Sequence, residues 1–178
     1  MTHTAHATHT NDVHDERAEL LAALAEQRRT LLITLRGVGD AQARERTTVS
    51  ELTLGGLLHH LTRGERVWTA IMTSGDGTTP DGMFDMDQYR MPEGATVAGL
   101  VASYEAAALA TDAAVAALPD LGATVPLPEA PWAPGEVAHW SARRILLHLL
   151  RETAQHAGHA DIVREALDGA STTARLGT

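Results

Sequence analysis

Residues 145–163 read ILLHLLRETAQHAGHADIV, and their spacing decides the fold. Ile145, Leu149, Glu152, His156, His159 and Val163 step by 4, 3, 4, 3 and 4, which lays them along one stripe of an α-helix, the seam of a helical bundle. The middle of that stripe is Glu, His, His rather than aliphatic. A carboxylate turned toward a core is costly unless it is paired or coordinated, and without a partner it takes up a proton instead. Glu152 and His156 are four residues apart, so they stand one above the other on the same face, where both can meet one ion.

Outward from this helix, which the pattern places at about 141–167 with Gly169 closing it, three more helices follow from the same period. The first is expected over 12–35, with Asp15 and Glu16 at its positive end and Leu20, Leu24, Leu31 and Leu35 on its apolar stripe. Ser50 reads as the N-cap of a second, which carries Leu54, Leu57, Leu58, Leu61, Trp68 and Ile71 and stops near 74–77. A third spans about 96–118, with Leu100, Tyr104, Ala107, Val115 and Leu118 inward and Pro119 ending it. Residues 75–95, with breakers at both ends, read as a long, partly ordered connection that could cross the mouth of a site. Residues 122–134 read as a non-helical return, with a strand at most over 123–127. The expected fold is all-α: an antiparallel four-helix bundle with long connections over residues 12–170. Residues 1–11, with His3, His6 and His9, read as a disordered tail, and 171–178 as a C-terminal tail.

Composition narrows the function. Aromatics make up only 3% of the 178 residues, and Ala and Leu supply the apolar mass, which favours helices. A net charge of −9 leaves no basic surface for nucleic acid or an anionic membrane. The absence of cysteine excludes disulfides, thiolate metal ligands and a protein thiol nucleophile. No signal peptide is visible and no apolar run approaches a membrane span, so a cytoplasmic protein is expected. No phosphate-binding glycine loop, HExxH pair or GxSxG elbow is present either.

The second helix repeats the anomaly of the fourth. His60 lies beside the stripe of Leu57, Leu61 and Trp68, whereas His59 points about 100° away. One helix then offers a His and another a Glu-x-x-x-His. Two imidazoles and a carboxylate leave coordination positions open, the pattern of a catalytic rather than a structural ion. The competing reading makes His156 a hydrogen-bonded core residue and pairs Glu152 with Arg63 or Arg143. His159, one turn beyond His156, could be a fourth ligand, a proton shuttle or a core histidine. His148, four before Glu152, could support it or be structural. Asp161 and Arg164 read as an ion pair, and Trp68, Trp132 and Trp140 as core or pocket wall.

LTLGGLLHHL, residues 52–61, followed by RETAQHAGHADIVREALDG, residues 151–169, resembles the DinB-like metal-dependent bundle superfamily. It is closest to an uncharacterised actinobacterial branch and is similar to the N-terminal domain of mycothiol-dependent maleylpyruvate isomerase. The resemblance covers residues 15–169 and implies His60, Glu152 and His156 as the metal ligands. Many members carry His at the position of Glu152, and the isomerase-like branch carries Glu. Members often follow the last ligand with Arg-Gly-Gln; here Ala157-Gly158-His159 puts an imidazole where they have an amide. The resemblance further implies one divalent ion (zinc first, with nickel, iron or manganese as alternatives), mycothiol as co-substrate and a homodimer.

The expected function is therefore a metal-dependent thiol transferase or isomerase that turns a low-molecular-weight thiol on a small electrophile. The alternatives are a hydrolase using metal-bound water and a non-catalytic metal-binding or dimerising bundle.

Overall fold

The computed structural model describes residues 12–131, 134–135 and 137–175. The expected N-terminal tail with His3, His6 and His9, the last residues of the C-terminal tail, and Trp132 lie outside them. The described residues are mostly helical, with four long helices, α1 (Asp12–Thr34), α2 (Leu54–Ser74), α3 (Val97–Ala117) and α4 (Ala142–Asp168), and a short α5 (Thr172–Arg175). Single 3-10 turns at Gln42–Arg44 and Met86–Tyr89 interrupt the connections.

The helix ends follow capping chemistry. Thr96 and Ser141 accept from the backbone N–H groups of Gly99 and Arg144 and start α3 and α4. Gly75 and Gly169 end α2 and α4 in the left-handed conformation that a residue without Cβ adopts freely. One cap differs from expectation. Thr53, not Ser50, starts α2: its Oγ1 accepts from Gly56 N at 3.1 Å, while Ser50 Oγ accepts from Leu52 N in a bend before the helix.

A small antiparallel sheet departs from the all-α expectation. β1 (Thr124–Pro126) falls inside the stretch read as a strand, and β2 (His139–Ser141) pairs with it, Val125 opposite Trp140. This ribbon folds the 118–141 return against the start of α4, where Ala142 N and Arg143 N donate to Ala123 O and Leu121 O.

α1 packs along α4, and α2 packs along both α3 and α4. α3 is long and apolar enough to cross a membrane by length and composition, contrary to the expectation that no segment reaches that size. It lies against α2 with Leu100, Tyr104, Ala107, Thr111 and Val115 buried.

The core falls into two apolar clusters. One gathers Leu31, Leu54, Leu57, Leu58, Leu61, Leu100, Tyr104, Ala160 and Val163; the other gathers Leu24, Ile71, Val115, Leu121, Ile145, Leu146 and Leu149. Between them every long helix contributes a polar residue: Arg28, Glu65, Thr111 and Thr153 are all 5% exposed or less. Arg28 grips Glu65 through Nε and Nη2 at 2.6 and 2.8 Å, Thr111 Oγ1 donates to Glu65 at 2.6 Å, and Arg28 Nη1 reaches Asp112. Burial disfavours the Arg28 charge, yet Glu65 and Asp112 outweigh it and raise the guanidinium pKa. The candidate site occupies the same polar level.

The Asp161–Arg164 pair expected from spacing is absent. Arg164 is buried, pairs with Asp168 and donates to Thr34 O and Arg36 O at the end of α1; Asp161 accepts from Thr172 and fastens α5. An arginine there offsets the exposed carbonyls of a helix C-terminus, which a carboxylate one turn away cannot do.

Candidate metal centre

His60 on α2 and Glu152 and His156 on α4 converge, one donor atom from each lying within 4.8 Å of the others. Glu152 Oε2 stands 3.6 Å from His156 Nε2 and 3.9 Å from His60 Nε2. The three side chains are 12, 25 and 10% exposed, so they form a nearly closed floor with the carboxylate at its opening. Four ligands at about 2.1 Å around a tetrahedral ion stand about 3.4 Å from each other, so the observed separations suit one ion after small side-chain adjustments.

Each imidazole is held by its other nitrogen. His60 Nδ1 lies 3.2 Å from Gln88 Oε1, an acceptor that keeps the ring proton on Nδ1 and leaves Nε2 to face the cluster. Tyr89 stacks on the same ring at 4.3 Å and 21°. His156 Nδ1 lies 3.2 Å from His159 Nδ1, which serves it in the same way. Glu152 is treated asymmetrically. Its Oε2 faces the two histidines, while Oε1 accepts from Arg151 Nη2 at 2.7 Å. The imidazoles of His156 and then His60 beside Oε2, joined by the Arg151 hydrogen bond, hold the Glu152 carboxyl far below the usual carboxylate range against its partial burial. Neither Arg63 nor Arg143 is its partner: Arg143 pairs with Glu16, and Arg63 donates to Gly82 O near Asp85.

The 75–95 connection proves to be a strap lying across α2. Gly55 and Gly56 make room for it. A Cβ on Gly56 would fall 2.2 Å from Tyr89 O, and one on Gly55 would fall 2.4 Å from Met91 Sδ. His59, aimed away from the cluster, donates from Nδ1 to Arg90 O at 2.8 Å and ties the strap down. Burial disfavours its protonated form and lowers its pKa. The two glycines before the histidine pair thus bring Gln88 and Tyr89 onto His60.

A cleft of about 420 Å³ opens over the cluster, lined by His60, Glu152, Gln88 and Tyr89 at one end and by Trp68, Met83, Phe84 and Leu149 further along. His148 lines it too, edge-on to Trp68 and 3.9 Å from Glu152 Oε1. Arg151 donates to His148 Nδ1 at 2.9 Å, and burial lowers the pKa of this imidazole. His159 is not among the lining residues; it meets the His156 nitrogen remote from Glu152. A larger groove of about 730 Å³ between α1 and α3 contains none of the cluster residues.

Sequence reasoning missed Gln88, Tyr89 and Arg151, along with the Arg28–Glu65 pair. Only the glycine pair inside a helical pattern signalled that another segment passes close to α2.

The mainly helical architecture is that of a DinB-like protein, and its His–Glu–His cluster could hold a metal ion. The chain belongs to the mycothiol-S-transferase family, whose family model matches residues 19–169. Among solved structures it is similar to a conserved protein from Enterococcus faecalis, at 14% identity and a TM-score of 0.67 over 86% of this chain and 97% of that one. At that identity the likeness speaks to fold alone. No curated protein matches the chain.

Proposed function

We propose that the chain is a metal-dependent transferase that activates a low-molecular-weight thiol, mycothiol being the family's namesake, for attack on a small electrophile. The observation that carries this reading is the convergence of His60, Glu152 and His156, with His60 and Glu152 lining an open cleft and the second nitrogen of each imidazole already engaged. His60, Glu152 and His156 would hold the ion, with zinc the first candidate for this borderline donor set. A bound divalent ion supplies the acidity that turns a coordinated thiol into a thiolate at neutral pH.

The chain's own residues supply the rest. Gln88 and His159 fix which nitrogen each imidazole presents. Arg151 occupies the second oxygen of Glu152, so the carboxylate would offer an ion its other oxygen, Oε2. The thiol proton leaves to solvent. Sulfur then forms a bond to the electrophilic carbon while the carbon's bond to its leaving group breaks, and the leaving group departs with the electron pair. His159 holds His156 by the nitrogen remote from Glu152, a positioning role rather than proton transfer. The long connections and four long helices support reading the fold as a bundle opened on one side by this cleft.

A thiol-consumption assay with an alkylating electrophile tests the proposal. Activity should vanish with a chelator, return with Zn²⁺ and prefer mycothiol over glutathione. Equal rates with and without chelator would refute it.

A further inference from the structure

We propose that the half of the cleft remote from His60 and Glu152 is a binding site for a flat, aromatic body on the electrophile, with Trp68 as its platform. The identity of the molecule as the electrophile rests on the thiol-transfer reading; the binding itself does not.

The cleft changes character along its length. Trp68 lies eight residues beyond His60 on α2, so the two ends are separated by about 12 Å at the helical rise of about 1.5 Å per residue. The near end presents imidazole, carboxylate, amide and phenol groups. The far end presents Val67, Trp68, Met83, Phe84 and Leu149, with His148 set edge-on against Trp68. A hydroxyl-rich body there would lose its water contacts against carbon walls and find few replacements, whereas a ring would not. Arg63, the cation at this end, has its guanidinium turned to Gly82 O at 2.8 Å and lies 3.7 Å from Asp85.

Trp68 is also braced. Its ring is parallel to that of Trp140, with centroids 5.1 Å apart and planes 6° from each other, and His148 meets it edge-on at 4.4 Å. Arg144 sits 4.4 Å from the Trp140 ring centroid and holds that ring in turn. Trp140 stands off the cleft lining, so among the described residues the indole that faces the cleft is Trp68, backed by a second indole. A braced ring loses little freedom when a second ring stacks on it, so the contact yields more affinity than a mobile side chain would. Met83 and Phe84 come from the strap, the chain's single Phe among them, and complete the far end.

Calorimetric titration with two unreactive thioethers, S-benzyl- and S-methyl-N-acetylcysteine, tests the site on the full chain, as purified and after chelator treatment. The benzyl probe should bind about tenfold or more tightly than the methyl probe, the scale expected for burying a phenyl group. Trp68→Leu should cut that preference to about threefold or less. Because Trp68 also supports Trp140 and His148, Phe84→Ala on the strap is the second variant and should reduce the preference without lowering the helical content. Equal affinities for the two probes in the wild-type chain, or a preference untouched by both variants, would overturn the proposal. A benzyl preference in protein whose thiol consumption is equal with and without chelator would uphold the site and sink the thiol-transfer reading instead.

Discussion

Gly56→Ala should weaken metal binding without touching a ligand. An added Cβ would stand 2.2 Å from Tyr89 O, whereas ordinary contact begins near 3.4 Å, so helix and strap must separate by about 1.2 Å. The obstacle is backbone, which cannot rotate away. A retreat of that size along the line to His60 would stretch the 3.2 Å contact between Gln88 Oε1 and His60 Nδ1 beyond hydrogen-bonding range. Two costs follow. Overpacking costs about 1–3 kcal/mol, which for a domain of this size lowers the Tm by roughly 4–8 °C at its midpoint. Loss of the partner that orients a ligating histidine costs about 10–100-fold in metal affinity. Competition against a chromogenic zinc chelator, with a melting curve on the same samples, reads both. Gly64→Ala is the matched control on α2: its Cβ meets nothing within 4 Å, so alanine there should raise helix stability by about 0.5–1 kcal/mol and leave zinc affinity unchanged. If Gly56→Ala bound zinc as tightly as wild type while melting normally, the strap would not be what positions His60.

His159→Ala should lower zinc affinity by about 10–100-fold in the same competition, and His159→Gln, whose amide oxygen can accept from His156 Nδ1, should restore most of it. Arg28→Ala leaves the Glu65 carboxylate buried without its cation and should cost about 3–5 kcal/mol in urea unfolding, while Arg28→Met combined with Glu65→Leu should recover most of that loss. Acid should destabilise the metal-free protein partly through Glu152. Its pKa is lowered on folding from 4.5, so the unfolded chain binds more protons as the pH falls through that value, and the stabilisation present above it is lost on the acid side. Melting curves from about pH 6 down to about pH 3, across the range where ordinary carboxylates titrate, should show a shallower loss in Glu152→Gln.

The elements legible in the sequence are those whose signal is local and periodic. α4 was readable because its stripe and its Gly169 stop are both encoded within the helix, and the same stripe exposed Glu152 and His156 as misplaced polar residues. The start of α2 was ambiguous because Ser50 and Thr53 are both good caps, and only the geometry of the preceding bend separates them. β2 is three residues long, too short for an alternating pattern to register. Gln88 and Tyr89 reach His60 through a fold-back across 28 and 29 positions, which no local period encodes. Arg28 and Glu65 were legible in principle. Arg28 sits between Leu24 and Leu31 on the α1 stripe, and Glu65 follows Leu61 by one turn, the same kind of anomaly that singled out Glu152. Their meaning differs because each found the other: a charge in a core stripe can be satisfied by an ion pair or by a metal, and only the partner helix decides which.

The most direct test of the central claim is elemental analysis of the purified chain alongside His60→Ala, Glu152→Ala and His156→Ala. The account predicts about one divalent ion per wild-type chain and a large loss in each variant, with helical content retained. A wild-type chain that purifies metal-free and takes up neither Zn²⁺ nor Ni²⁺ would contradict it, as would variants that keep the full complement of metal.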